Sequence, residues 1–96
     1  MIADITVVPI GVGTSLSKYI AEAVKAFKDY KYEVTASGTI VELEDFDELC
    51  TILKGIKDNL VNLGVERVVY FIKIDYKLKK DTMERKVKSV LEKLKK

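Results

Sequence analysis

The chain opens on nine residues, Ile2 to Ile10, that are apolar except for Asp4 and Thr6. β-Branched residues dominate this run, which is too short and too uniformly apolar for an amphipathic helix, so it reads as an interior strand. Pro9 falls at its end, where a missing ladder donor is tolerable. The period then becomes that of a helix. Leu16, Tyr19, Ile20, Ala23, Val24 and Phe27 follow i, i+3, i+4, i+7 spacing, with Thr14 or Ser15 expected as the cap and an end near Tyr30. Tyr32 to Ala36 and Thr39 to Leu43 read as two short strands joined at Ser37-Gly38 into a hairpin. After Glu44 and Asp45 comes a second helix with Phe46, Leu49, Cys50, Leu53, Ile56, Leu60 and Leu63 on one side, closed by Gly64. Val65 to Tyr76 is the strongest strand and is apolar on both sides. A last helix from about Asp81 carries the stripe Met83, Val87, Val90, Leu91 and Leu94.

This βαββαβ order, with right-handed crossovers, gives an α+β class chain: a ferredoxin-like sandwich with a four-stranded antiparallel sheet, two helices on one face and an additional C-terminal helix. The other face of the sheet is left uncovered. A second subunit or the C-terminal helix is needed to cover it, so an oligomer is expected. Ninety-six residues with 48% hydrophobic content fit one domain spanning residues 1–96.

Charge adds one asymmetry. The net charge is only +2, which selects no polyanionic partner. From Tyr76 onward, however, nine Lys or Arg face three acids, a balance of +6, whereas residues 1–75 carry eight against twelve, a balance of −4. The lysines of the tail alternate with Asp81, Glu84 and Glu92 along an amphipathic helix and read as a solvated face rather than a nucleic-acid or membrane surface. RNA-binding domains share the strand order but display stacking aromatics on the central strands, and Thr39 to Leu43 has none.

Histidine is absent, which removes the commonest metal ligand and the commonest general base, and no metal or cofactor is expected. The single cysteine, Cys50, cannot form an internal disulfide, and its place on the apolar stripe reads as core. Met-Ile-Ala-Asp does not resemble a signal peptide and no apolar run reaches membrane-spanning length, so a cytoplasmic protein is the default expectation.

Three positions carry candidate chemistry. Gly11-Val12-Gly13-Thr14-Ser15-Leu16 has the first two glycines of a dinucleotide fingerprint but Leu16 in place of the third. It is a turn with a helix cap, or a small polar pocket of N–H groups and hydroxyls for an anion or a heterocycle edge. Glu42 lies on a strand expected at the sheet centre, either solvated on the uncovered face or held by a donor. Arg67, at the start of the fourth strand, is a surface residue, a partner for such an acid, or an anion holder.

Taken together, "VVPIGVGTSLSKYIAEAV", "SGTIVE", "GVERVVYFIKID" and "KKDTMERKVKSV" span almost the whole chain, and in this order and separation the chain resembles the thiamine-binding (YkoF-like) family. The resemblance implies a ferredoxin-like protein without catalytic activity that forms dimers or tetramers through its sheets. It also implies binding of thiamine or its hydroxymethylpyrimidine moiety. Gly13, Thr14, Ser15, Gly38, Thr39, Glu42 and Arg67 fall at positions matching the family's motifs and are the site candidates. Tyr32, or an aromatic of the fourth strand, is added as a contact for a cationic thiazolium. The rival reading is a structural or regulatory oligomer in which the Gly-Thr-Ser junction and Glu42 serve folding and assembly.

Overall fold

A computed structural model of the protein describes residues 1–95. Its elements run β1 (Ile2–Ile10), α1 (Ser17–Val24) continued by a 3₁₀ turn (Lys25–Phe27), β2 (Lys31–Val34), β3 (Thr39–Glu42), α2 (Phe46–Asn62), β4 (Arg67–Asp75) and α3 (Met83–Leu94). The strands make one antiparallel sheet in the order β2-β3-β1-β4. This is the expected ferredoxin-like arrangement with one extra helix.

Alternation along β1 sends Ala3 and Ile5 to the helix side, where they are at most 1% exposed, together with Val41 of β3 and Ile52, Ile56 and Leu60 of α2. Ala23 and Phe27 complete this interior from the first helical segment. Asp4, Thr6 and their cross-strand partners Lys73 and Phe71 take the opposite, uncovered face. The end of α2 is sealed as expected: Gly64 N–H donates to Val61 O and Val65 N–H to Leu60 O, the paired bonds of a Schellman motif.

Two expectations fail. The first helix is not capped by Thr14 or Ser15; Leu16 holds the cap position without any side-chain bond, and its carbonyl accepts from Tyr19 and Ile20 at 3.0 Å. Gly11 and Gly13, at φ of 81° and 87°, keep the chain turning through Ser15, so the hydroxyl residues are still in the loop when the helix begins. Cys50 is exposed rather than core. The buried line of α2 is Leu49, Ile52, Ile56 and Leu60. At about 100° of rotation per residue, position 50 lies past the edge of that line. Phe46, at 50% exposure, stacks on Tyr76 instead of entering the interior.

Gly38 fixes how the hairpin meets β1. A Cβ there would lie 2.8 Å from Thr6 Oγ1, 2.9 Å from Asp4 Oδ1 and 3.0 Å from Ile5 O, so only glycine allows this approach.

The start of α3 is tied to the sheet by polar contacts. Thr82 caps it by accepting from Arg85 N–H, and Met83 N–H donates to Glu42 Oε1 at 2.9 Å. Lys31 of β2 bridges Glu84 at 2.5 Å and Glu42 at 3.3 Å. Lys80 pairs with Glu44, and Lys86 with Asp75. The hydrogen bond from Arg85 holds the Asp81 carboxyl below its usual range, assisted by the Thr82 amide and by Lys77, against a smaller opposing effect of burial. The hydrogen bond from Lys31 does the same for Glu84, and that contact in turn raises the Lys31 ammonium.

Three outcomes are expected. Gly38→Ala should cost about 1–3 kcal/mol in urea unfolding, because Thr6, Asp4 and the β1 backbone must move apart. Cys50 should react with a thiol reagent in the native protein as fast as in the unfolded chain, and Cys50→Ser should change stability by less than about 0.5 kcal/mol. The third concerns pH. Asp81 and Glu84 have lowered folded values, so their contribution to holding α3 is present above the ordinary carboxylate range and disappears as pH falls through those values. Lys31, raised, keeps its contribution below its ordinary value and loses it only as pH climbs through the folded one. Hydrogen-exchange protection of the first turn of α3 should therefore drop below about pH 4 while β1 and α2 stay protected.

Candidate functional site

The strands of this sheet are unequal. β1 pairs with β4 along its whole length, from Ile2↔Asp75 to Ile10↔Arg67, but its ladder with β3 runs only from Ile2↔Glu42 to Ile5↔Thr39. On the β3 side, Thr6 to Ile10 therefore has no strand beside it, and every second residue there points its N–H and C=O into the gap.

The gap is roofed and closed. Leu16, Ile20, Ala23 and Val24 of the α1 segment lie over it, and the β2–β3 arch, Thr35 to Gly38, shuts one end, leaving a cavity of about 270 Å³. The arch is held by its own hydroxyls. Thr35 Oγ1 donates to Gly38 O at 2.9 Å and accepts from the Gly38 and Ser37 amides at 3.2 and 3.3 Å. Thr6 Oγ1 donates to Ser37 O at 2.7 Å. Thr39, 6% exposed and the one buried polar residue among those described, forms part of the wall. None of the lining side chains is ionisable. Apolar walls, hydroxyls and an unpaired strand edge suit a flat, neutral heterocycle whose rim alternates donors and acceptors.

The site candidates divide into five places. Gly38 and Thr39 line the cavity. Gly13, Thr14 and Ser15 are exposed in the loop that delivers Leu16 to its roof. Tyr32 sits on the helix side of β2, its ring 5.9 Å from that of Phe27, and borders a separate groove between α1 and α2 with Lys25, Lys28 and Asn59. Glu42 is three residues from Thr39, roughly 10 Å along β3, and its carboxylate is engaged by the Met83 amide and Lys31.

Arg67 is opposite Ile10, whereas Glu42 is opposite Ile2. Eight residues of β1 separate these levels, roughly 26 Å, so of the readings open for Arg67 the pairing with Glu42 does not form. The loop after β1 lies beyond the end of the β3 ladder, because β3 begins opposite Ile5 and not opposite Ile10.

Sequence reasoning missed Thr6, Thr35, Ser37, Leu16 and Ile20 as residues lining this cavity. The signal available was length: a nine-residue first strand beside a hairpin of much shorter arms must leave part of an edge unpaired. Among the described residues no three His, Cys, Asp or Glu side chains are grouped to hold a metal ion. No helix among them is long and apolar enough to cross a membrane.

Comparison with known proteins shows the family of the chain. Residues 3–91 match the family model described as thiamine-binding protein. A UPF0045 protein of Methanothermobacter thermautotrophicus is 41% identical, over 96% of this chain and 97% of its own length. A UPF0045 protein of Bacillus subtilis is 36% identical, over 93% and 92%. Among solved structures, a hypothetical protein of Methanocaldococcus jannaschii superposes with a TM-score of 0.82 at 39% identity, covering 95% of each chain. A Thermotoga maritima protein with a proposed role in thiamine biosynthesis or salvage superposes with a TM-score of 0.78 at 32% identity, over 93% of this chain and 96% of that one. With the family model matched over nearly its whole length, the chain belongs to the thiamine-binding protein family.

Proposed function

We propose that the protein is a non-catalytic binding module for thiamine or its hydroxymethylpyrimidine moiety, taken up in the cavity between α1 and the unpaired edge of β1. The observation that carries this reading is the coincidence, in one cavity, of a free strand edge, a buried threonine and no ionisable side chain. A 4-aminopyrimidine presents an amino donor next to a ring-nitrogen acceptor. That pair complements the C=O and N–H of one edge residue. Its faces would lie against the side chains of Val7, Leu16 and Ile20, with the Thr39 hydroxyl at its rim. At about 270 Å³ the cavity is just below the usual range for drug-sized ligands and suits one substituted ring. The thiazolium of thiamine would stand at the mouth, beside Gly13, Thr14 and Ser15.

Binding rather than turnover is supported by the lining, which offers no group able to carry a proton near neutral pH, and by a chain without histidine. The family description and the Thermotoga maritima relative support the ligand class. In this reading Glu42 serves the attachment of α3 and not the ligand. The protein also works as a homo-oligomer formed through its sheets, a reading supported by the uncovered face on which Phe71 is 63% exposed.

Calorimetric titration tests the ligand. Hydroxymethylpyrimidine and thiamine should both give saturable heat. Thr39→Val should weaken both about tenfold, the loss of one hydrogen bond to a buried hydroxyl. Ile20→Trp, which fills the roof, should remove binding with the circular dichroism spectrum unchanged, and Glu42→Gln should leave affinity within about twofold. Absence of heat from wild type with either compound at millimolar concentration would leave assembly as the function of the module.

A further inference from the structure

We propose that the groove between α1 and α2 is a second binding site, separate from the cavity at β1, and that it takes a flat aromatic ring carrying an anionic group, a carboxylate or a phosphate.

The groove owes its depth to small residues. Gly55 brings α2 against the 3₁₀ turn that continues α1: a Cβ there would lie 3.1 Å from the Cβ of Ala26. With Ala21 and Ala26 on the facing segment, nothing bulky fills the space above this contact. An open groove of about 540 Å³ remains, twice the volume of the cavity under α1 and within the range of small-molecule sites. Val24 is the one residue that lines both, so the two are separate volumes.

The charge at the groove is of one sign. Lys25 and Lys28 line it, and no carboxylate does. The Lys25 ammonium is held by Glu22 at 2.6 Å, whereas Lys28 has no ion-pair partner among the described residues. One uncompensated positive charge therefore stands beside an apolar floor. Asn59 is pinned from the α2 side: its Nδ2 donates to Glu22 O at 3.0 Å, which leaves Oδ1 as an acceptor for a ring N–H or amino group.

Tyr32 supplies the aromatic surface. Its ring packs on Phe27 with centroids 5.9 Å apart, yet the residue is 41% exposed at the end of the groove. A tyrosine held on one side and open on the other offers a second ring a stacking or edge contact. Neither feature suffices alone. An anion on an exposed lysine gains little in water, and a ring on one tyrosine gains about as little. One rigid ligand that makes both contacts loses its freedom of motion only once, so ring and charge on the same molecule are what the groove selects.

Two-dimensional NMR of the isotope-labelled protein tests this. Nicotinate and adenosine monophosphate are the probes; nicotinamide, adenosine and inorganic phosphate, each with the ring or the charge alone, are the controls. At millimolar concentration a probe should shift the amides of Ala26, Lys28, Gly55 and Asn59 saturably, and its controls should bind at least tenfold more weakly. Lys28→Ala, a change on the surface, and Tyr32→Leu, which keeps an apolar contact on Phe27, should each weaken the probe about fivefold. No shift at these amides with either probe would overturn the site. So would inorganic phosphate binding as well as adenosine monophosphate, which would mean a lysine patch without a place for a ring, and so would shifts centred on Ile5 and Thr39, which would put the probe in the cavity. The two sites fail separately: hydroxymethylpyrimidine that gives no heat while a probe saturates the groove would remove the ligand of the cavity and leave this one standing.

Discussion

β1 is the strand on which everything else is registered, because it pairs with β3 on one side and, along its whole length, with β4 on the other. Its two ladders impose different demands. Along β4 the pairing covers all nine residues, which sets the length of the sheet and places Arg67 and Asp75 at its two ends. Along β3 only four residues pair, and the remainder of that side is left for α1 and the hairpin arch to close over. The interior depends on the same strand, since Ala3 and Ile5 sit between the neighbouring strands and beneath the helices.

The second constraint is how near the hairpin comes. Gly38 lets the arch descend onto Asp4, Thr6 and the Ile5 carbonyl, and Thr6 then holds Ser37 by a hydrogen bond. These contacts stop the arch at a fixed height along β1. Thr39 is thereby set opposite Ile5, turned to the helix side and buried, while Glu42 falls opposite Ile2 at the other end of β3. One close approach thus decides which of the polar residues enters the cavity and which is free to hold α3.

Much of this was legible in the residues. The period-2 and period-3.6 patterns located every strand and helix, and Gly64 marked the end of α2, because these signals arise from neighbours within a few residues of one another. The failures all involve contacts between distant segments. Cys50 looks interior on a helical projection of its own helix, but which stripe is buried depends on where the sheet lies beneath it. Glu42 and Arg67 are both plausible site residues until the register of two ladders puts them at opposite ends of β1. Thr6, Thr35 and Ser37 carry no motif at all; they matter because a short hairpin meets a long strand. The last helix shows the same limit from the other side: its amphipathic stripe was plain, but the stripe alone does not say that none of its residues becomes buried.

The unpaired stretch of β1 also bears on how such a chain can change over time. Main-chain N–H and C=O groups are common to nearly all residues, so replacing one side chain along Thr6 to Ile10 alters the walls of the cavity but seldom its polar rim. Hairpin length acts differently. Two further residues on each arm would extend β3 alongside Thr6 and Val7, occupy the groups there with backbone partners and turn that part of the cavity into ordinary sheet. In this architecture an insertion or deletion at the arch therefore has more power to create or erase a binding site than any point substitution within it.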